Sequence, residues 1–109
     1  MIETKAAVER IDEIVSTDGV DGVFVGPYDM SGSYNVTGDT EHALIKKACK
    51  RVAGACAKYR KSAGIHVVLP DRDKITKAIG GGFTFIALGV DTVFLRTAAR
   101  DALDVARAR

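Results

Sequence analysis

The 109-residue sequence predicts an α/β fold in which successive βα units build a parallel sheet. Three observations carry that reading. Short β-branched apolar runs alternate with longer segments of helical period. The runs are nearly continuous in apolar residues, as strands covered on both faces are. Each run is also bounded by glycine or proline, the residues that stop a strand. Four such units make half of an eightfold barrel, whose usual size is about 250 residues.

In chain order, Met1-Ile2-Glu3 reads as the stub of a first strand. Thr4 is a candidate N-cap for an amphipathic helix in which Ala7, Val8, Ile11, Ile14 and Val15 recur at three and four. Val20 to Val25 is the next strand, closed by Gly26-Pro27. The stretch Gly26 to Asp39 (GPYDMSGSYNVTGD) reads as irregular, and in parallel βα architectures chemistry lies at that C-terminal strand edge. A helix is expected from Thr40 to about Ser62. Leu44, Ile45, Ala48, Cys49, Val52, Ala53 and Cys56 form its apolar side, and seven Lys or Arg residues from Lys46 to Lys61 form a solvated face. Gly64 to Leu69 is the third strand, ended by Pro70. A helix from Asp71 to Ile79 follows, then a flexible Gly80-Gly81-Gly82 connection, and a fourth strand from Phe83 to Leu88. Asp91 to Ala108 closes the chain as an amphipathic helix with Val93, Phe94, Ala98, Leu103 and Val105 on its apolar side.

Composition narrows the function. With 47% hydrophobic and 28% charged residues, and 16 Lys and Arg against 14 Asp and Glu, the chain (residues 1–109) is expected to be a single domain. A net charge of +2 without clustered basic excess or a stacking set of aromatics argues against a nucleic-acid partner, and none is expected. No apolar run approaches the roughly 18 residues that span a bilayer, and the first five residues lack a signal-peptide layout. No membrane partner and a cytoplasmic location are therefore expected. Cys49 and Cys56 lie about 10 Å apart along one helix, which excludes a disulfide between them and leaves them as small buried apolar groups.

In a parallel arrangement Glu3 ends the first strand, Asp29 follows the second and His66 lies in the third. Two carboxylates at one edge suit a hard divalent ion whose other positions are filled by water and substrate oxygens. The plainer reading makes them a terminal charge and a loop-capping aspartate. His66 alternates with Ile65 and Val67, and is either a hydrogen-bonded core histidine or a group of the site. Tyr28 and Tyr34 line a pocket or pack the loop. The triple glycine matches neither a dinucleotide fingerprint nor a phosphate-binding loop, and no nucleophile-elbow motif is present.

The segments MIETKAAVERIDEIVSTDGVDGVFVGPYDMSGS, GIHVV and GGFTFIALGVDTVFL together resemble the C-terminal half of the HpcH/HpaI family of metal-dependent aldolases. That family is related to 2-dehydro-3-deoxyglucarate aldolase and to the citrate lyase β subunit. The motifs IET, GPxD[LM]S and ALGxDTxFL at these spacings are specific, and the resemblance covers essentially the whole chain. It implies a phosphoenolpyruvate/pyruvate-type (β/α)8 TIM barrel of which this chain supplies the last four units. It implies cleavage of 4-hydroxy-2-oxo acids to pyruvate, or a related 2-oxo acid, and an aldehyde. By the same resemblance Glu3 and Asp29 are the ligands of a magnesium, manganese or cobalt ion. Gly26, Pro27, Tyr28, Asp29 and His66 meet the substrate, with the backbone around Tyr28-Asp29 on the pyruvate carboxylate.

The family's catalytic histidine, its acidic partner and the pyruvate-binding arginine belong to the first half of the barrel. Where relatives carry a glutamine two residues before the glutamate, this chain has Met1. Full activity therefore implies another chain, either a complementing N-terminal half or a second copy. The helix Asp91 to Ala108 is the candidate homo-oligomer contact. The competing expectation is a non-catalytic oligomerising or ligand-binding remnant of the fold. A thioester-acting lyase is a third, and the GPYDMS loop stands closer to the aldolase form.

Overall fold

Three strands pair in parallel in the order β1 (Gly22–Val25), β2 (Ser62–Val67), β3 (Phe85–Leu88). The structure is a computed structural model and describes residues 1–108. The helices between and around them are α1 (Lys5–Glu9), α2 (Ile11–Ser16), α3 (Pro27–Ser33), α4 (Ala43–Lys58), α5 (Arg72–Gly80) and α6 (Asp91–Arg107). The expected first strand is reduced to a bridge: Ile2 pairs in parallel with Val25, its N–H donating to the Phe24 carbonyl (2.7 Å) and its own carbonyl accepting from the Gly26 N–H (3.0 Å). The order strand, helix, strand, helix predicted from the sequence is thus present, with all pairing parallel. Among the described residues no helix is long and apolar enough to cross a membrane.

Strand alternation divides the sheet into two faces. Val23, Val25, Ala63, Ile65 and Ile86 pack into the core with Val8, Ile11 and Val15 of α1 and α2 and with Ile45, Ala48, Val52 and Cys56 of α4. Phe24, Gly64 and Phe85 fall on the opposite face, which no helix covers.

Several local expectations are corrected. The first helix breaks at Arg10 into α1 and α2. The carbonyls released there are those of Val8 and Glu9, and the Arg51 guanidinium donates to both at 3.0 Å. Arg51 is therefore a long-range helix cap rather than part of a solvated face, and Lys58 is likewise engaged, pairing with Asp12 at 2.9 Å. The stretch from Gly26 to Asp39 is irregular only in its second half: Pro27 opens α3, which runs to Ser33, because a first-turn proline loses no helical hydrogen bond, and turns follow. The helix α4 starts at Ala43, where His42 Nδ1 accepts from the Leu44 N–H, and ends at Lys58 rather than near Ser62. Arg60, at φ 56°, closes it in the left-handed conformation while the Lys61 N–H returns to the Cys56 carbonyl (2.8 Å).

The triple glycine is likewise an ordered cap and not a flexible link. Gly82 has φ +87°, its N–H donates to the Ile79 carbonyl, and the Phe83 N–H donates to that of Ala78. The strand limits that move do so by two residues. Ser62 and Ala63 join β2 because the Ser62 N–H donates to the Asp21 carbonyl and the Ala63 carbonyl accepts from the Thr84 N–H, whereas Val68 and Leu69 lie beyond the sheet and are exposed. The cap at Asp71 is as the sequence predicts, its carboxylate accepting from the Lys74 N–H at 2.8 Å.

Candidate active site

The parallel register arranges the uncovered face in rows. Ile2 opposite Val25, Val25 opposite Ile65 and His66 opposite Ala87 place Glu3, Gly26, His66 and Ala87 side by side at the C-terminal edge. The row beneath holds Met1, Phe24, Gly64 and Phe85. Its two phenyl rings meet edge to face, with centroids 5.6 Å apart and planes at 75°, and Gly64 makes room for them, since a side chain there would overlap the Phe24 ring. A polar row therefore stands on an apolar floor.

Glu3 lies directly across Gly26. A Cβ at position 26 would sit 2.9 Å from Glu3 Cγ and 3.1 Å from Oε1, so glycine is what allows the glutamate side chain to cross the strand end. Asp29 stands exposed in the first turn of α3. Ser31, a residue whose role the sequence did not reveal although it belongs to GPYDMS, holds that turn in place. It is completely buried, its hydroxyl donates to the Tyr28 carbonyl (2.5 Å), and it accepts from the Gly38 N–H (2.8 Å). Tyr34 packs against the core, and desolvation raises its phenol above the ordinary value, so of the two tyrosines Tyr28 borders the groove and Tyr34 packs the loop.

Gly26, Pro27, Tyr28, Asp29 and His66 all line one open groove of about 1010 Å³. Its outer wall carries Lys46, Lys74 and Lys77. Lys46 and Lys77 converge on Glu41 at 3.1 and 2.8 Å and hold its carboxyl below the usual range, while Lys74 pairs with Asp71. Cys49 also faces the groove, and burial pushes its thiol up, so the neutral form expected from the sequence persists. His66 is half-buried and not sealed in the core, with Nε2 2.7 Å from the Gly89 carbonyl.

The donor set suits a particular kind of metal. Among the described residues neither Glu3 nor Asp29 enters an ion pair, and no group of three or more His, Cys, Asp or Glu converges. That excludes a closed zinc-type cage within these residues. One or two carboxylates beside open space are what magnesium or manganese takes when water and substrate oxygens complete its shell.

The HpcH/HpaI aldolase/citrate lyase model matches residues 1–98. The chain is 37% identical over 99 residues to the hydroxypyruvate/pyruvate aldolase of Sagittula stellata, covering 90% of this chain and 38% of that protein. It is 31% identical over 103 residues to the 5-keto-4-deoxy-D-glucarate aldolase of Klebsiella pneumoniae, covering 94% and 40%. A solved HpcH/HpaI aldolase/citrate lyase family protein from Burkholderia cenocepacia superposes with a TM-score of 0.90 at 30% identity, over 98% of this chain and 41% of the other. The chain thus spans about 40% of the length of the relatives it matches. Its open sheet of parallel βα units corresponds to part of their barrel. On the matched family model, the sequence identity to these relatives and the superposed fold, the chain belongs to the HpcH/HpaI aldolase/citrate lyase family.

Proposed function

We propose that residues 1–109 form one domain, the metal- and pyruvate-holding half of a class II aldolase that cleaves 4-hydroxy-2-oxo acids to pyruvate, or a related 2-oxo acid, and an aldehyde. The observation that carries this reading is the strand end itself: the Glu3 carboxylate is laid across Gly26, and Gly26 lines one groove with Asp29 and His66. The activities for which the relatives are named, hydroxypyruvate/pyruvate and 5-keto-4-deoxy-D-glucarate aldolase, support the same substrate class.

Glu3 and Asp29 would hold a magnesium, manganese or cobalt ion. Such an ion supplies Lewis acidity toward the keto and carboxylate oxygens of a 2-oxo acid. The chain's own residues bind and orient. The first turn of α3, where helical amides lack intrahelical partners, presents the backbone of Tyr28 and Asp29 to the acid's carboxylate. Gly26 and Pro27 shape the close approach, and the Phe24 and Phe85 rings form the apolar floor beneath. Proton transfer needs groups from another chain, a complementing first half-barrel or a second copy. The bare apolar side of α6, with Leu95 and Val105 exposed, supports a homo-oligomer contact.

The test is manganese binding in the presence of pyruvate, followed by pyruvate release from a 4-hydroxy-2-oxo acid after adding the first half-barrel of a relative. The expected result is chelator-sensitive release only in the complemented mixture, lost in Glu3→Gln. Folded chain that binds no manganese would overturn the reading and leave a non-catalytic remnant. Release by the chain alone would remove the need for a partner.

A further inference from the structure

The contact between His66 and the loop after β3 goes beyond the substrate class just proposed, and rests on it. A backbone carbonyl only accepts hydrogen bonds, so the 2.7 Å contact between His66 Nε2 and the Gly89 carbonyl requires the proton on Nε2. In the neutral ring Nδ1 then carries a lone pair. No buried side-chain nitrogen or oxygen among the described residues lacks a partner, and Nδ1 has none, so Nδ1 is not buried. His66 is among the residues that line the groove, and Nδ1 is the ring atom left able to accept.

What aims the carbonyl is equally specific. The Gly89 N–H donates to the Val67 carbonyl (2.8 Å), so the glycine is clasped to β2 at two successive residues. Its φ is +60°, a conformation side chains disfavour, and a Cβ there would fall 2.6 Å from Phe94 Cζ and 2.7 Å from Cε2. The Phe94 ring, from the first turn of α6, thus lies flush on the Gly89 Cα while staying half-exposed.

We propose that Phe94 and Gly89 are positioning residues that hold His66 as the Nε2–H tautomer, so that Nδ1 accepts a hydrogen bond from a hydroxyl of the bound 2-oxo acid. The site then favours hydroxylated acids over the same acids lacking the hydroxyl, because an acceptor left facing apolar substrate loses its partner. Hydroxypyruvate and pyruvate differ by that one group.

Nitrogen-15 spectra of imidazole-labelled chain in alkaline buffer test the proposal, with His42→Gln assigning the two rings. The free chain is expected to show His66 as a single tautomer with bare Nδ1. Adding hydroxypyruvate with magnesium should shift Nδ1, whereas pyruvate with magnesium should leave it in place. Phe94→Ala should mix the tautomers and weaken hydroxypyruvate binding about tenfold relative to pyruvate, with Phe94→Leu restoring both. A proton on Nδ1 in the free chain overturns the proposal, as does an unmoved Nδ1 while both acids perturb Tyr28; in the latter case the 2-oxo acid reading survives. Binding of neither acid overturns both.

Discussion

The helices α4 and α6 are close to the same length, 16 and 17 residues, and both are amphipathic, yet their fates differ completely. α4 buries Ile45, Ala48, Val52, Ala53, Ala55 and Cys56 against β1, β2 and the first two helices. α6 buries no residue, and Leu95 and Val105 are 74% and 77% exposed. An apolar stripe states that a face requires cover, and it does not state what supplies it. For α4 the cover is within the chain; for α6 only the first turn is seated, with Val93 half-buried and the Phe94 ring against Gly89.

The largest effect should come from breaking the covered member of this pair. Ile45→Ala removes a side chain that is 1% exposed, and is expected to cost about 2–5 kcal/mol in denaturant unfolding. The sheet repeats the contrast between its two faces, and Gly64→Ala probes the uncovered one. A methyl group pressed into the Phe24 ring is expected to cost about 1–3 kcal/mol, and Phe24→Leu in the same chain should recover part of it. The smallest effect belongs to α6: Leu95→Ala should change the stability of the isolated chain by less than about 0.5 kcal/mol. Sedimentation should nevertheless show weaker self-association, and a Leu95→Ala loss comparable to that of Ile45→Ala would erase the distinction between the two helices.

The features legible in the sequence are those with local causes. Asp71 three residues before the amide it caps, and Thr4 before Ala7, are spacing rules that need no knowledge of the rest of the molecule. The apolar strand runs likewise fixed a parallel α/β order, and the GPYDMS and IET motifs marked the carboxylates that the fold sets along one edge. The break at Arg10 was not legible, because the group that caps it, Arg51, arrives from more than 40 residues away. The end of α4 was missed for a related reason: Arg60 takes a left-handed conformation that composition assigns to glycine, and the returning Lys61 hydrogen bond holds it there.

The site divides in the same way. Residue types and order placed Glu3, Asp29 and His66 at the C-terminal ends of their units once the strands are parallel. Only the tertiary structure decided which strands are neighbours and how each of these side chains is held. Strand register set Glu3 beside Gly26, where the absence of a Cβ admits the carboxylate, and the turn at Gly89 chose which imidazole nitrogen of His66 is bound and which is free. Register and ring contacts depend on atoms brought together from distant parts of the chain, and no local pattern of side chains encodes them.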